Sequence, residues 1–156
     1  MTEASPARVV ADADVLAADL LCGGDAREAL DHVRRHSWVR LVASDALLAD
    51  TAAIIADLAD PDLAADWRER IEREREPVDH PEGDHPALAS AYRGEAAHVL
   101  SYNESLRSAK TGLALQEHMR VSVRTPDAFA KLFDPESLYD LVEGGEYPGP
   151  DQDPRA

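Results

Sequence analysis

The chain has 156 residues, 44% of them hydrophobic, which suits one domain with a real core. It carries 31 acids against 16 bases, a formal net charge of −15. A surface so charged excludes nucleic-acid binding through a broad basic face, and no apolar run approaches the length of a membrane span. Lys110 and Lys131 are the only lysines, and arginine supplies the remaining bases. Carboxylate excess with scarce lysine, spread over all elements, reads as adaptation to a high-salt cytoplasm, where self-repulsion is screened within about 3 Å at 1 M salt. The N-terminus lacks a basic-then-apolar leader pattern, so a cytoplasmic location is expected. Cys22 stands alone, which rules out an intramolecular disulfide and predicts a small core residue beside Gly23 and Gly24.

In chain order, residues 1–7 are expected to be a flexible start. The run Arg8, Val9, Val10, Ala11, Asp12 reads as a strand buried on both faces and closed by an acid. Asp14 can cap a helix to about Leu21, and Gly23-Gly24 stops it. Asp25 then caps a second helix to about His36. Val39 to Ala43 is a second strand, and Ser44 caps a helix from Asp45 to about Ala59. Leu47, Thr51, Ile54, Ile55 and Leu58 form its buried stripe, with Asp50 on the shoulder near the end of strand two.

Pro61 breaks that helix, and Leu63 to Glu76 forms another with exposed Arg–Glu spacings. Residues 77–85 read as a loop ending in Asp84, and Pro86 opens a helix to about Arg93. Ala96 to Ser101 is a third strand, followed by Tyr102, Asn103, Glu104 and a short helical region to about His118. Val121 to Val123 is a fourth strand, and Thr125-Pro126-Asp127 starts a last helix. The tail, residues 142–156, is rich in Gly, Pro and acids and is expected to be mobile. Strands alternating with helices predict an α/β fold with a mainly parallel sheet of about four strands, spanning residues 8–141.

In such a sheet the working crevice lies outside the carboxyl ends of the strands. Asp12, Asp50 and Asp84 all fall at such places, and Asn103 follows strand three. Converging carboxylates repel, so a cluster of this kind normally holds a hard cation such as Mg2+ or Mn2+. Such an ion polarises a phosphodiester and acidifies a bound water.

These segments, in this order, resemble the PIN-domain family of metal-dependent ribonucleases. The carrying stretches are Val9-Val10-Ala11-Asp12-Ala13-Asp14-Val15-Leu16, Ser44-Asp45-Ala46-Leu47-Leu48-Ala49-Asp50, Asp84-His85-Pro86-Ala87-Leu88-Ala89-Ser90-Ala91 and Val99-Leu100-Ser101-Tyr102-Asn103. Val121 to Phe129 is similar to the family's last strand and helix. The resemblance implies a three-layer α/β/α fold and an endoribonuclease in which Asp12, Asp50 and Asp84 hold one or two Mg2+ or Mn2+ ions. It places a supporting hydroxyl at Ser101. Asn103 stands where the family commonly has an acid, and Asp50 where it usually has Glu. Asp14 replaces a neutral polar residue and can restore a carboxylate.

The resemblance also implies RNA as a partner and, in many members, a homodimer, for which the Asp45–Ala59 helix or the first helical pair offers a surface. It leaves a toxin role and any cognate antitoxin open. Two functions stay in play: a metal-dependent ribonuclease, and a PIN-like domain without catalysis that serves as an RNA-associated or protein-interaction module. A phospho-accepting receiver fold needs an acid after strand three and a lysine after the last strand, where this chain has Asn103 and Arg124. His32 and His36 share an i, i+4 spacing that suits zinc but lacks a third ligand, so they read as surface histidines.

Overall fold

The computed structural model describes residues 4–83, 85–107 and 121–155. Its strands are β1 (Ser5–Ala11), β2 (Arg40–Ala43), β3 (Glu76–Pro77), β4 (Ala96–Leu100) and β5 (Ser122–Arg124). Its helices are α1 (Ala13–Leu21), α2 (Gly24–Arg34), α3 (Asp45–Leu58), α4 (Pro61–Glu74), α5 (Pro86–Arg93), α6 (Glu104–Arg107), α7 (Pro126–Leu132) and α8 (Pro135–Val142). The strands form one sheet in the order β3-β2-β1-β4-β5, and every pairing is parallel. Helices cover both faces, giving the three-layer α/β/α architecture expected of a buried parallel sheet.

β1 is the centre of this arrangement because its sequence can be buried on both faces. Val9, Val10 and Ala11 are wholly inaccessible. Val9 lies opposite Leu41 of β2, while Val10 and Ala11 pair with Val99 and Leu100 of β4. With so few aromatics, the core is closed by Ala, Val and Leu packed at short distance. Gly94 shows how tight this is. A Cβ there would overlap Val42 Cγ1 and lie 2.9 Å from the Ser90 carbonyl oxygen. The turn from α5 into β4 therefore needs a residue without a side chain.

The helix ends follow their sequence signals, with shifts of a residue or two. Asp12, rather than Asp14, is the N-cap of α1, and its carboxylate accepts from Ala13 N–H at 2.8 Å. Gly23, at φ 74, closes α1 and opens α2, which leaves Asp25 in the first turn instead of at the cap. Ser44 caps α3 as expected, accepting from Leu47 N–H at 3.1 Å. Pro61 occupies the first turn of α4 behind an Asp60 cap, so it starts a helix as well as ending the previous one. α4 stops at Glu74 with Arg75 as its C-cap, and Glu76 and Pro77 then pair with β2 as a short fifth strand. Cys22 is exposed, because the turn that brings α2 back over α1 presents it to solvent.

The C-terminal region differs most from expectation. Asp134 caps an additional helix, α8, through Ser137. The tail beyond it lies against the end of α2. Asp151 and Gln152 N–H groups donate to the Arg35 carbonyl at 2.9 and 3.1 Å, and Asp151 accepts from Ser37 N–H at 2.7 Å. Arg155 grips the Asp31 carboxylate with two bonds of 2.8 and 2.7 Å. Tyr147 reaches His36, whose ring is buried, at 2.6 Å. The His36 Nδ1–H donates to the His32 carbonyl at 2.7 Å, so in the neutral ring Nε2 accepts from the tyrosine hydroxyl. His36 is thus a structural core residue rather than a surface one. Among the described residues, no helix is long and apolar enough to cross a membrane.

Candidate functional site

The strand order reverses at β1: the chain moves from β1 to β2 on one side and crosses to β4 on the other. Ligands of open parallel sheets bind outside the carboxyl ends of strands at such a point. Asp12 follows the last residue of β1, and Ser101 follows the last residue of β4. The register Ala11 opposite Leu100 places them side by side. Ser101 Oγ–H donates to Asp12 Oδ2 at 2.8 Å, and Asp12 N–H donates to the Leu100 carbonyl at 2.8 Å. Both side chains are buried, and Ser101 is in turn held by its N–H bond to the Arg124 carbonyl of β5 at 2.9 Å. Asp12 is therefore fixed by two strands and one helix terminus. Each of its oxygens accepts one bond and keeps a further lone pair.

Asp14 lies in the first turn of α1, beside Asp12. Its Oδ2 accepts from Tyr102 N–H at 3.1 Å. Its Oδ1 is buried and has no hydrogen-bond partner among the described residues. Burial first, and the neighbouring Asp12 charge second, push the Asp14 carboxyl above its ordinary value; the Tyr102 and Val15 amides and His85 act the other way. The Tyr102 hydroxyl is likewise raised, by burial and then by Asp25, Asp14 and Asp127. The rim around β1 and β4 is thus negative, and acids from α1, α2 and α7 contribute to it. Asp25 and Asp127 were read from the sequence only as helix-start residues. Their signal was the position itself, since a first-turn acid of a helix that begins on the rim faces the rim.

The other sequence-derived residues fall differently. Asp84 lies outside the described residues; its neighbour His85 is close enough for its charge to act on Asp14. Asp50 is solvent-exposed on α3, instead of being drawn toward the sheet from the shoulder of the stripe. Thr51 takes the wholly buried place beside it and returns its hydroxyl to the Leu47 carbonyl at 2.9 Å. Asn103 uses its side-chain oxygen locally, accepting from Ser105 N–H at 3.0 Å and from Ser105 Oγ at 2.7 Å at the start of α6. Its N–H donates to Ser101 Oγ at 3.0 Å, which completes the support of Asp12.

Among the described residues, no group of three or more His, Cys, Asp or Glu side chains is poised around one metal position. Asp12 and Asp14 are the pair that the fold brings together. Their donor chemistry suits a hard divalent cation: two carboxylates, one with a buried oxygen that has no partner among the described residues, at a crevice where no described arginine or lysine bonds to either. A cation that keeps several waters needs no more than one or two protein carboxylates.

Comparison with known proteins gives one family. The model of a family of unknown function, DUF7384, matches residues 3–155. No curated protein and no solved structure matches the chain.

Proposed function

The chain belongs to the DUF7384 family, whose function is unknown, and on the geometry of the rim we propose that it is a PIN-like, divalent-cation-dependent ribonuclease working at the carboxyl ends of β1 and β4. The observation that carries this reading is the pairing of Asp12 with Asp14 at the strand-order reversal, with one carboxylate oxygen buried and unpartnered among the described residues. Buried like charges without a counter-ion are costly, and a fold keeps them where a cation is to be held. Mg2+ or Mn2+, bound by Asp12 and Asp14 with Asp84 as a further contributor, would supply a polarised phosphoryl oxygen and an acidified water.

The chain's own residues do the positioning. Ser101 and the Ala13 amide fix the Asp12 carboxylate, so its free lone pairs keep one direction. The Tyr102 amide does the same for Asp14. Asn103, through its N–H, holds the Ser101 hydroxyl. RNA would meet an acidic rim, so its approach depends on the bound cation and on salt screening rather than on a basic groove.

Manganese titration by calorimetry in concentrated KCl, paired with an RNA cleavage assay, tests the proposal. Saturable Mn2+ binding with Mn2+-dependent cleavage, both lost in Asp12→Asn, supports it. No heat and no cleavage removes it.

A second reading rests on a specific observation. Asn103 spends its oxygen capping α6, and Asp50 is exposed, so the rim offers fewer ligands than the family pattern implies. On this reading the domain is a PIN-like interaction module without catalysis. Mn2+ binding with no cleavage of any RNA tested would select it.

A further inference from the structure

The sheet's opposite, amino edge borders two adjoining cavities. A cavity of about 440 Å³ opens between the end of α2, the start of β2, the end of α4 and the tail. A second, of about 250 Å³, adjoins it and shares Arg34 and Glu74 as wall residues. Both lie away from Asp12. Their lining reverses the charge balance of the chain. Six arginines line the two spaces: Arg34, Arg40 and Arg73 in the first, and Arg27, Arg70 and Arg155 added by the second. Only Asp19, Glu74 and Asp153 line them as acids, in a chain where acids outnumber bases 31 to 16.

Not all of this charge is spent. Arg34 is committed to Asp19 and Asp31, and Arg155 to Asp31. Among the described residues, Arg27 donates to the Asp19 and Leu20 carbonyls and to no carboxylate. Among the described residues, Arg40 and Arg73 meet carboxylates only at 3.9 and 3.7 Å, beyond a good charge-assisted bond. The floor of the larger cavity is apolar, made by Leu30, Val33, Val39 and Leu41. Gln152 of the docked tail adds an amide at the wall.

We propose that this trough is a binding site for a small organic phosphate of nucleotide size, its phosphate held by Arg40 and Arg73 and its ring laid on the Val33–Val39–Leu41 floor. The volume falls within the range of about 300–1,000 Å³ typical of small-molecule sites. Guanidinium forks match phosphate oxygens in pairs, which lysine cannot do. The site is independent of the carboxyl-rim reading and stands or falls separately. Because the tail forms part of the wall, occupancy should also hold the tail in place.

The test uses the full chain and adenosine 5′-monophosphate, adenosine and inorganic phosphate as probes, followed by calorimetry, with Trp67 in the adjoining cavity as a fluorescence reporter. The nucleotide is expected to bind saturably, at least about tenfold tighter than either fragment, a difference of about 1.4 kcal/mol. Arg40→Ala and Arg73→Ala are surface changes that should leave circular dichroism intact. Together they should weaken nucleotide binding by at least about tenfold. Amide exchange of residues 151–155 should slow when the nucleotide is bound. The proposal is overturned by no saturation at millimolar nucleotide, by equal binding of adenosine or of inorganic phosphate, or by unchanged affinity in the double variant.

Discussion

Replacing Asp14 by Asn isolates the tension at the carboxyl rim. In the metal-free protein, Asp14 when ionised sets a second negative charge beside Asp12 and leaves Oδ1 buried without a partner among the described residues. A buried unsatisfied polar atom costs about 1–3 kcal/mol. Asp14 is only partly buried, so the lower end, about 1 kcal/mol, is the fitting figure. Asn can keep its oxygen on the Tyr102 amide and turn its NH2 toward the Asp12 charge. Asp14→Asn should therefore stabilise the metal-free fold by about 1 kcal/mol, a rise in Tm of about 2–4 °C for a chain of this size.

The gain has a defined pH dependence. A carboxyl raised above its ordinary 3.8 by folding is more readily protonated in the native state. The stability it contributes is present below that value and falls as pH rises through the raised one. The variant's advantage should be smallest below 3.8 and grow as pH rises through the raised value. With Mn2+ the order reverses. At one hundred times its Kd, Mn2+ would stabilise the wild type by about 2.7 kcal/mol, or about 5–10 °C, and the variant by much less. Thermal unfolding by circular dichroism, with and without MnCl2 and across pH, measures all three. A less stable metal-free variant, or an equal Mn2+ shift in both proteins, would refute the reasoning.

Ser101→Ala should cost about 1–3 kcal/mol by leaving the buried Asp12 Oδ2 unpaired, read as a lower denaturant midpoint with an unchanged slope. Gly94→Ala should destabilise by about 1–3 kcal/mol, since the new Cβ forces Val42 and the α5–β4 turn apart; thermal unfolding checks it. Asp31 is pushed up by burial but held below its ordinary value overall by its bonds to Arg155 and Arg34. Its contribution is therefore present above 3.8 and lost as pH falls through the lowered value. Arg155→Ala should remove about 1 kcal/mol at neutral pH and blunt that acid sensitivity, measured as unfolding midpoint against pH.

Most of the sheet could be read from local signals. Val9-Val10-Ala11 and Val99-Leu100 have no polar face to offer solvent, so they had to be central strands of a parallel sheet. The reversal that places Asp12 beside Ser101 is a consequence of strand order, which alternation of strands with helices does not specify. What escaped depended on distant contacts. β3 is two residues long and pairs only because β2 presents its edge there. The docking of the tail rests on Tyr147, Asp151 and Arg155 finding His36, Ser37 and Asp31, more than a hundred positions away in the chain. A Gly- and Pro-rich composition says nothing of such bonds. Asp50 misled for a related reason: helical spacing puts it on the margin of a stripe, but it does not say how far neighbouring α1 extends to cover that margin.

β1 and β2 both enter the sheet at the edge where Arg155 is anchored, with Ser5 bonded to the Glu95 carbonyl and Asp151 to Arg35. The first and last described residues thus share one pole, and the acid-lined rim occupies the other. A dye, tether or chip surface coupled at either of these ends would leave the far pole facing open solution. Immobilised protein should in that case keep whatever cation affinity it has when free.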